Sequence, residues 1–241
     1  MSRRLKTYGV GLVLGQGFDL LNELEPAQDL FKRIDAHPLT VGGASKDKDA
    51  RCGFGAGKLA KGYKLHELRS GKGHIDAWGL TSMADNEKQA APGLIEQLPP
   101  GGGYLVGDSQ YDANTLYDLA ARRGYQLVAP PQKKNRALGH RRHSPHRLRG
   151  RSMLDDPMAT LGHPARLGPQ LLRQRLAIER DFAHEVTFAC GLKQLPFWVR
   201  TPHRVANLGP VQAHHHPRLD APKAFMLILQ KIGSRGLTDY R

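Results

Sequence analysis

Residues 104–130 read YLVGDSQYDANTLYDLAARRGYQLVAP. The apolar run Tyr104-Leu105-Val106 stops at Gly107 and Asp108, which reads as a strand delivering an acid at its tip. From about Asn114 to Arg123 the pattern turns helical. Gly124 stands where a helix C-cap glycine belongs, and YQLVAP (125–130) reads as a second strand. Just upstream, YKLHEL (63–68) and HIDAWGLTSM (74–83) read as a hairpin joined through SGKG. A hairpin followed by strand–helix–strand alternation implies an α/β fold with a mixed sheet and flanking helices.

Outward from that stretch the punctuation is denser. EKQAAPGLIEQL (87–98) reads as a helix kinked or restarted at Pro92 and ending in PPGGG. Glu23 to Arg33 reads as a short helix broken near Pro26. LFKRIDAHPLTV overlaps it as a strand from about Phe31 to Ile34, with Asp35 near its end and a turn at Pro38. Residues 42–62 read as a Gly- and Lys-rich loop. Its GFGAGK does not make a phosphate loop, because Leu59 follows Gly57-Lys58 and Cys52 stands where the first glycine is required. GVGLVLGQG near the start lacks both a preceding strand and the dinucleotide spacing.

Ten Lys or Arg and no acid lie between Leu119 and Leu154, densest in PPQKKNRALGHRRHSPHRLRGR. Without apolar periodicity and with prolines, this reads as an extended basic insertion (132–166). LGPQLLRQRLAIERDFAHEV (167–186) is the clearest helix, with Leu171, Leu172, Leu176, Ile178 and Phe182 apolar and Gln174, Arg175 and Glu179 on another face. After Trp198, four prolines interrupt any helix.

The 241 residues carry 36 Lys and Arg against 22 Asp and Glu, a formal charge of +14. That balance points to a polyanionic partner, nucleic acid first, while a basic surface without one is the bland alternative. Two separated cysteines, Cys52 and Cys190, exclude a disulfide framework or a zinc module and fit a reducing cytoplasm. No apolar run approaches a membrane span, and the glycine-broken N-terminus lacks a leader cleavage site. The expected location is therefore the cytoplasm.

Three acids stand out by position. Asp35 and Asp108 close strands, and Glu179 lies mid-helix in RLAIER; 73 residues separate the first two and 71 the last two. Read singly, Asp35 and Asp108 are turn-forming acids and Glu179 is an ion-pair partner of Arg175 four residues earlier. Read together, three converging carboxylates would need a divalent ion to offset their repulsion, and oxygen ligands favour Mg²⁺ or Mn²⁺. Two such ions can activate an attacking hydroxyl and stabilise the leaving oxygen of a phosphodiester.

IDAHPL, SKDKDARCGFGAGKLAKGYKLHEL, YLVGDSQYD, YQLVAP, GHRRHSPHRLR and RQRLAIER, in order between Phe31 and His203, resemble bacterial insertion-sequence transposases of the DDE type, the insertion-sequence-four-like group. The resemblance implies a ribonuclease-H-like catalytic domain over 31–205 that uses Mg²⁺ (or Mn²⁺) to cut and join double-stranded DNA at transposon ends. It makes Asp35, Asp108 and Glu179 the metal ligands, with Arg175 orienting Glu179 or a phosphate. The family signature has Tyr three residues before Arg175 and Lys seven after Glu179. Here those places hold Leu172 and Val186, leaving open the phosphate contacts made from them. Residues 1–30 and 206–241 read as irregular remnants, so the chain is expected to be truncated at both ends.

The expected DNA contacts are Lys58, Lys61, Lys64, Lys133, Lys134, Arg136, Arg141, Arg142, Arg147 and Arg149, with a homodimer an open option and no membrane partner. For the first three lysines a solvated loop and strand edge is the equal alternative. HRRHSPH (140–146) and HHH (214–216) read as phosphate-facing rather than metal-binding, and Trp78 and Trp198 as core or interface aromatics. Three functions compete: a transposase that cuts and joins, a catalytically inactive remnant that binds DNA nonspecifically, and a ribonuclease-H-like nuclease without a joining step.

Overall fold

The computed structural model of the chain describes residues 29–55, 57–71, 73–132, 142–155 and 167–184, with residues 202 and 205 in addition. Six strands run β1 Phe31–Thr40, β2 Arg51–Gly55, β3 Lys58–Ser70, β4 Ile75–Ser82, β5 Gly103–Val106 and β6 Tyr125–Val128. The helices among the described residues include α1 Glu87–Gln97, α2 Asn114–Arg122, α3 Pro145–Asp155 and α4 Leu167–His184. The sheet order is β4-β3-β1-β5-β6, with β2 also paired to β3. β3 runs antiparallel to β1, β2 and β4, whereas β5 and β6 join β1 in parallel. This mixed, curled sheet with flanking helices is ribonuclease-H-like, as the strand–helix–strand reading and the family resemblance implied. No described helix is long and apolar enough to cross a membrane.

The two-residue repeat of the strands sorts the core onto two faces. Ile34, Leu105 and Leu127 face α1 and α2, where Leu94, Ile95, Leu98, Leu116 and Tyr117 are buried with them. Tyr104, Val106 and Val128 face the other way, onto Met153 of α3 and Leu171 of α4. Each fully buried aliphatic side chain there is worth about 1.5–3 kcal/mol. Gly124 closes α2 at φ +87°, and a Cβ there would sit 1.8 Å from the Gly101 carbonyl, so only glycine fits. Pro92 lies inside a continuous α1.

Several expectations needed correction. β1 runs on to Thr40, so Asp35 lies mid-strand and Pro38 makes no turn. β5 pairs with β1 only as far as Arg33, so among the described residues Pro38 has a ladder partner on the β3 side alone. The short helix expected to reach Arg33 gives way to β1 from Phe31, and its earlier residues fall outside the described ones. Within the supposed loop 42–62, residues 51–55 and 58–62 form a hairpin. Its glycines mark close approach rather than flexibility: a Cβ on Gly62 would lie 2.1 Å from the Leu39 carbonyl oxygen. Leu176, assigned to the apolar side of α4, is 52% exposed.

Of the basic stretch read as extended, 145–155 is a helix. Composition hid it because α3 buries little besides Gly150 and Met153. It is held by polar contacts instead: Arg147 donates Nε to Asp112 Oδ1 and Nη2 to Asp112 Oδ2, each at 2.7 Å. Asp112 is buried and spends its carboxylate on Arg147 and on the Gln132 amide. The N-cap of α2 is Ala113, which has no capping side chain. Removing one partner of a nearly buried ion pair strands the other charge. Asp112→Ala is therefore expected to lower unfolding stability by about 2–3 kcal/mol in urea titrations monitored by circular dichroism, with Asp112→Asn losing less.

Candidate metal centre

The parallel pairing of β1 with β5 positions the site. Arg33 lies opposite Val106, and the same register carried two residues further sets Asp35 beside Asp108. Phe31, Arg33, Asp35 and His37 alternate onto the face covered by α4. There Arg33 contacts Asp181 at 3.4 Å, and His37 stacks on Phe182 with ring centroids 5.2 Å apart. Asp35 meets Arg175 of the same helix, Oδ2 to Nη1 at 3.3 Å.

Asp108 leaves β5 to cap a 3-10 turn over Ser109–Tyr111, accepting from the Gln110 amide at 2.8 Å. The turn-forming reading of this residue holds, and it is compatible with a second role for the other carboxylate oxygen. A third acid enters from the opposite side. Glu87 is the first residue of α1, behind the N-cap Asn86, whose side chain accepts from the Lys88 amide at 3.0 Å. An acid is favoured there by the helix dipole. Oxygens of Asp35, Glu87 and Asp108 all lie within 4.8 Å of one another, a spacing that could hold a metal ion.

Glu179 takes a different place. Its side chain is 53% exposed, and Oε1 accepts from Arg175 Nη2 at 2.8 Å. The guanidinium thus spans Asp35 and Glu179, which brings the expected third acid to the same side of the sheet without joining the oxygen cluster. The i−4 ion pair that the sequence left open is formed. Glu87 escaped the sequence reading because it sits at a helix start, not a strand end; the capping signal Asn86-Glu87 was the available clue.

Burial and mutual repulsion both act on these acids. Asp35 is pushed up to about 7, first by burial, with Asp108 and Glu87 adding to it while the Ala36 amide and Arg175 pull it down. Glu87 is raised by burial and then by Asp108, against Lys64 at 3.6 Å. Four carboxylates (Asp35, Glu87, Asp108, Glu179) face two cations (Arg175, Lys64), a deficit of two charges that one divalent ion would cancel. All donors are hard oxygens, so the set suits Mg²⁺ or Mn²⁺ rather than zinc.

Of the expected DNA contacts, Lys58, Arg142 and Arg149 are exposed. Lys61 donates to the Ser45 carbonyl at 2.7 Å, Lys64 to the Asp85 carbonyl at 3.1 Å, and Arg147 is committed to Asp112. Lys133, Lys134, Arg136 and Arg141, like Cys190, Trp198 and His214–His216, lie outside the described residues. Trp78 packs half-buried against the cluster of Leu39, Tyr63 and Leu65, as a core aromatic.

A family model described as transposase DDE domain matches residues 29–195, well over half of the chain and inclusive of every residue of this site. No curated protein matches the chain.

The raised Asp35 sets a pH dependence with a definite sign. The folded state holds this proton more tightly than the unfolded one, whose carboxyl lies near 3.8. The stabilising contribution is complete below that value and is lost as pH climbs towards about 7. Without added metal, Asp35→Asn is expected to unfold about 1–3 kcal/mol less readily than the parent at pH 8 and to show no such gain at pH 4, in paired denaturant titrations.

Proposed function

The chain belongs to the transposase DDE domain family, and on that footing we propose that it cuts DNA at transposon ends and joins the freed 3′-hydroxyl to target DNA. The observation that carries the reading is the convergence of Asp35 and Asp108 at the end of the β1–β5 pairing, with Arg175 and Glu179 of α4 beside them. Asp35 and Asp108 would hold Mg²⁺ or Mn²⁺ together with Glu179, whose partner Arg175 also contacts Asp35. A bound ion would supply charge neutralisation at the scissile phosphate and a more acidic attacking hydroxyl.

The chain's own residues do the rest. Arg175 offers a planar, two-pronged donor to a carboxylate or a phosphate, and swapping one for the other releases Glu179 when DNA arrives. Asp108 is held by the Gln110 amide through one oxygen, which leaves the other able to take a ligand. The exposed Lys58, Arg142 and Arg149, with the basic residues of 133–141, grip the backbone through phosphate contacts that carry no sequence information. Affinity should therefore fall steeply with salt. The cytoplasm, in contact with the nucleoid, is the location this reading requires.

One observation favours a second reading, a DNA-binding fold that no longer cuts: Glu179 is exposed and tied to Arg175 rather than gathered with the acids. A nicking assay on DNA bearing a transposon end separates the two. Mg²⁺-dependent nicking is expected, and Asp108→Asn should slow it on the order of 10³-fold, the scale of several kcal/mol of charge stabilisation. Binding without any nicking by the parent chain selects the second reading. Nicking without strand-transfer product selects a nuclease instead.

A further inference from the structure

We propose that Glu87 is a metal ligand of this centre in its own right, joining Asp35 and Asp108 around one divalent cation before Glu179 is engaged, with the hydroxyl of Tyr111 facing that cation's hydration shell. The inference rests on reading the site as a metal centre, and it adds a residue that the three-acid pattern leaves out.

Two independent observations meet here. The first is the oxygen cluster itself, formed by Asp35, Glu87 and Asp108 within 4.8 Å with Glu179 outside it. The second is Tyr111. Its side chain is 1% exposed, and its hydroxyl is buried without a hydrogen-bond partner. A buried hydroxyl left unpaired is costly, so a partner that arrives with a bound cation would be favoured. The charges acting on it are those of Glu87, Asp35 and Asp108, with Arg175 the opposing cation. Water ordered on a cation held among these three carboxylates would give the hydroxyl its partner.

The backbone shows that Tyr111 is placed there by packing. Its ring lies over Gly107, where a Cβ would come within 2.8 Å of the ring, so the residue between Val106 and Asp108 has to be glycine. The close approach of the ring to Gly107 thus seats the tyrosine against the end of β5. On the other side, Glu87 is fixed by its position in the first turn of α1. Lys64 meets it only at 3.6 Å and donates to the Asp85 carbonyl at 3.1 Å, so a stronger cation can replace that contact without stranding the lysine. Asp108 has no ion pair among the described residues, which leaves it as the open corner of the cluster.

The test is Mn²⁺ titration of the full chain without DNA, by calorimetry, on the parent and on Glu87→Gln, Glu179→Gln and Tyr111→Phe. Glu87→Gln is expected to weaken Mn²⁺ binding tenfold or more, Glu179→Gln less than threefold, and Tyr111→Phe two- to fivefold. Glu87→Asp, which keeps the charge at the helix start, should fall between the parent and Glu87→Gln and guards against a folding defect, checked by metal-free melting. Tb³⁺ luminescence excited through tyrosine locates the ion, and Tyr111→Phe should remove most of the emission while Tb³⁺ still binds. Parent-like Mn²⁺ affinity in Glu87→Gln, or full emission in Tyr111→Phe, overturns the proposal. These readouts do not depend on cleavage, so a chain that binds Mn²⁺ through Glu87 but never nicks DNA would refute the functional reading and leave this one standing.

Discussion

Three residue pairs between β1 and β5, ending at Arg33 opposite Val106, hold the whole site in place. β1 continues past the last pair while the chain turns out of β5, and the register that joins them carries Asp35 and Asp108 side by side into a partly buried position. Nothing in the chemistry of two carboxylates favours that proximity; burial and repulsion both oppose their ionisation, and Asp35 shows the strain by rising to about 7. The apolar residues of the two strands impose it. Leu105 on one face and Val106 on the other are both fully buried, so a slip by one residue would turn the strand's core side chains over. Core packing thus sets the separation of the acids, and α1 and α4 bring Glu87 and Arg175 to them from opposite faces.

The large positive charge has a less uniform meaning than composition implies. Lys32 pairs with Asp76 at 3.0 Å, Arg69 with Glu67 at 2.6 Å, and Arg33 donates to the Ser70 carbonyl at 2.7 Å, all of them buried. Arg147 is spent on attaching α3. These cations are internal fasteners that replace apolar contacts around a curled sheet, and they cannot also grip a polyanion. The surface share of the charge, Lys58, Arg142 and Arg149 included, remains available to phosphates.

The legibility of the chain followed the range of the interactions involved. α2, β6 and the Gly124 cap were readable because their signals, apolar periodicity and a positive-φ glycine, lie within a few residues. The β3–β4 hairpin was readable from its turn. The β2–β3 hairpin was not, since its glycines mark neighbouring backbone rather than a turn, and a sequence cannot say which backbone passes close by. α3 was missed because a helix fastened by Arg147 to an acid 35 residues earlier has no apolar stripe of its own.

The sequence alone determined the α/β class, the order of the elements with local signals and, through motifs spread along it, the family; it singled out Asp35, Asp108 and Glu179 as candidates. Local periodicity and residue type suffice for those. Only the tertiary structure decided which acids share a space. It put Glu87 among them and left Glu179 outside, bound to Arg175. The reason is that carboxylate proximity depends on strand register and on the packing of two helices against opposite faces. Those are contacts between residues tens of positions apart, whose joint geometry no local pattern encodes.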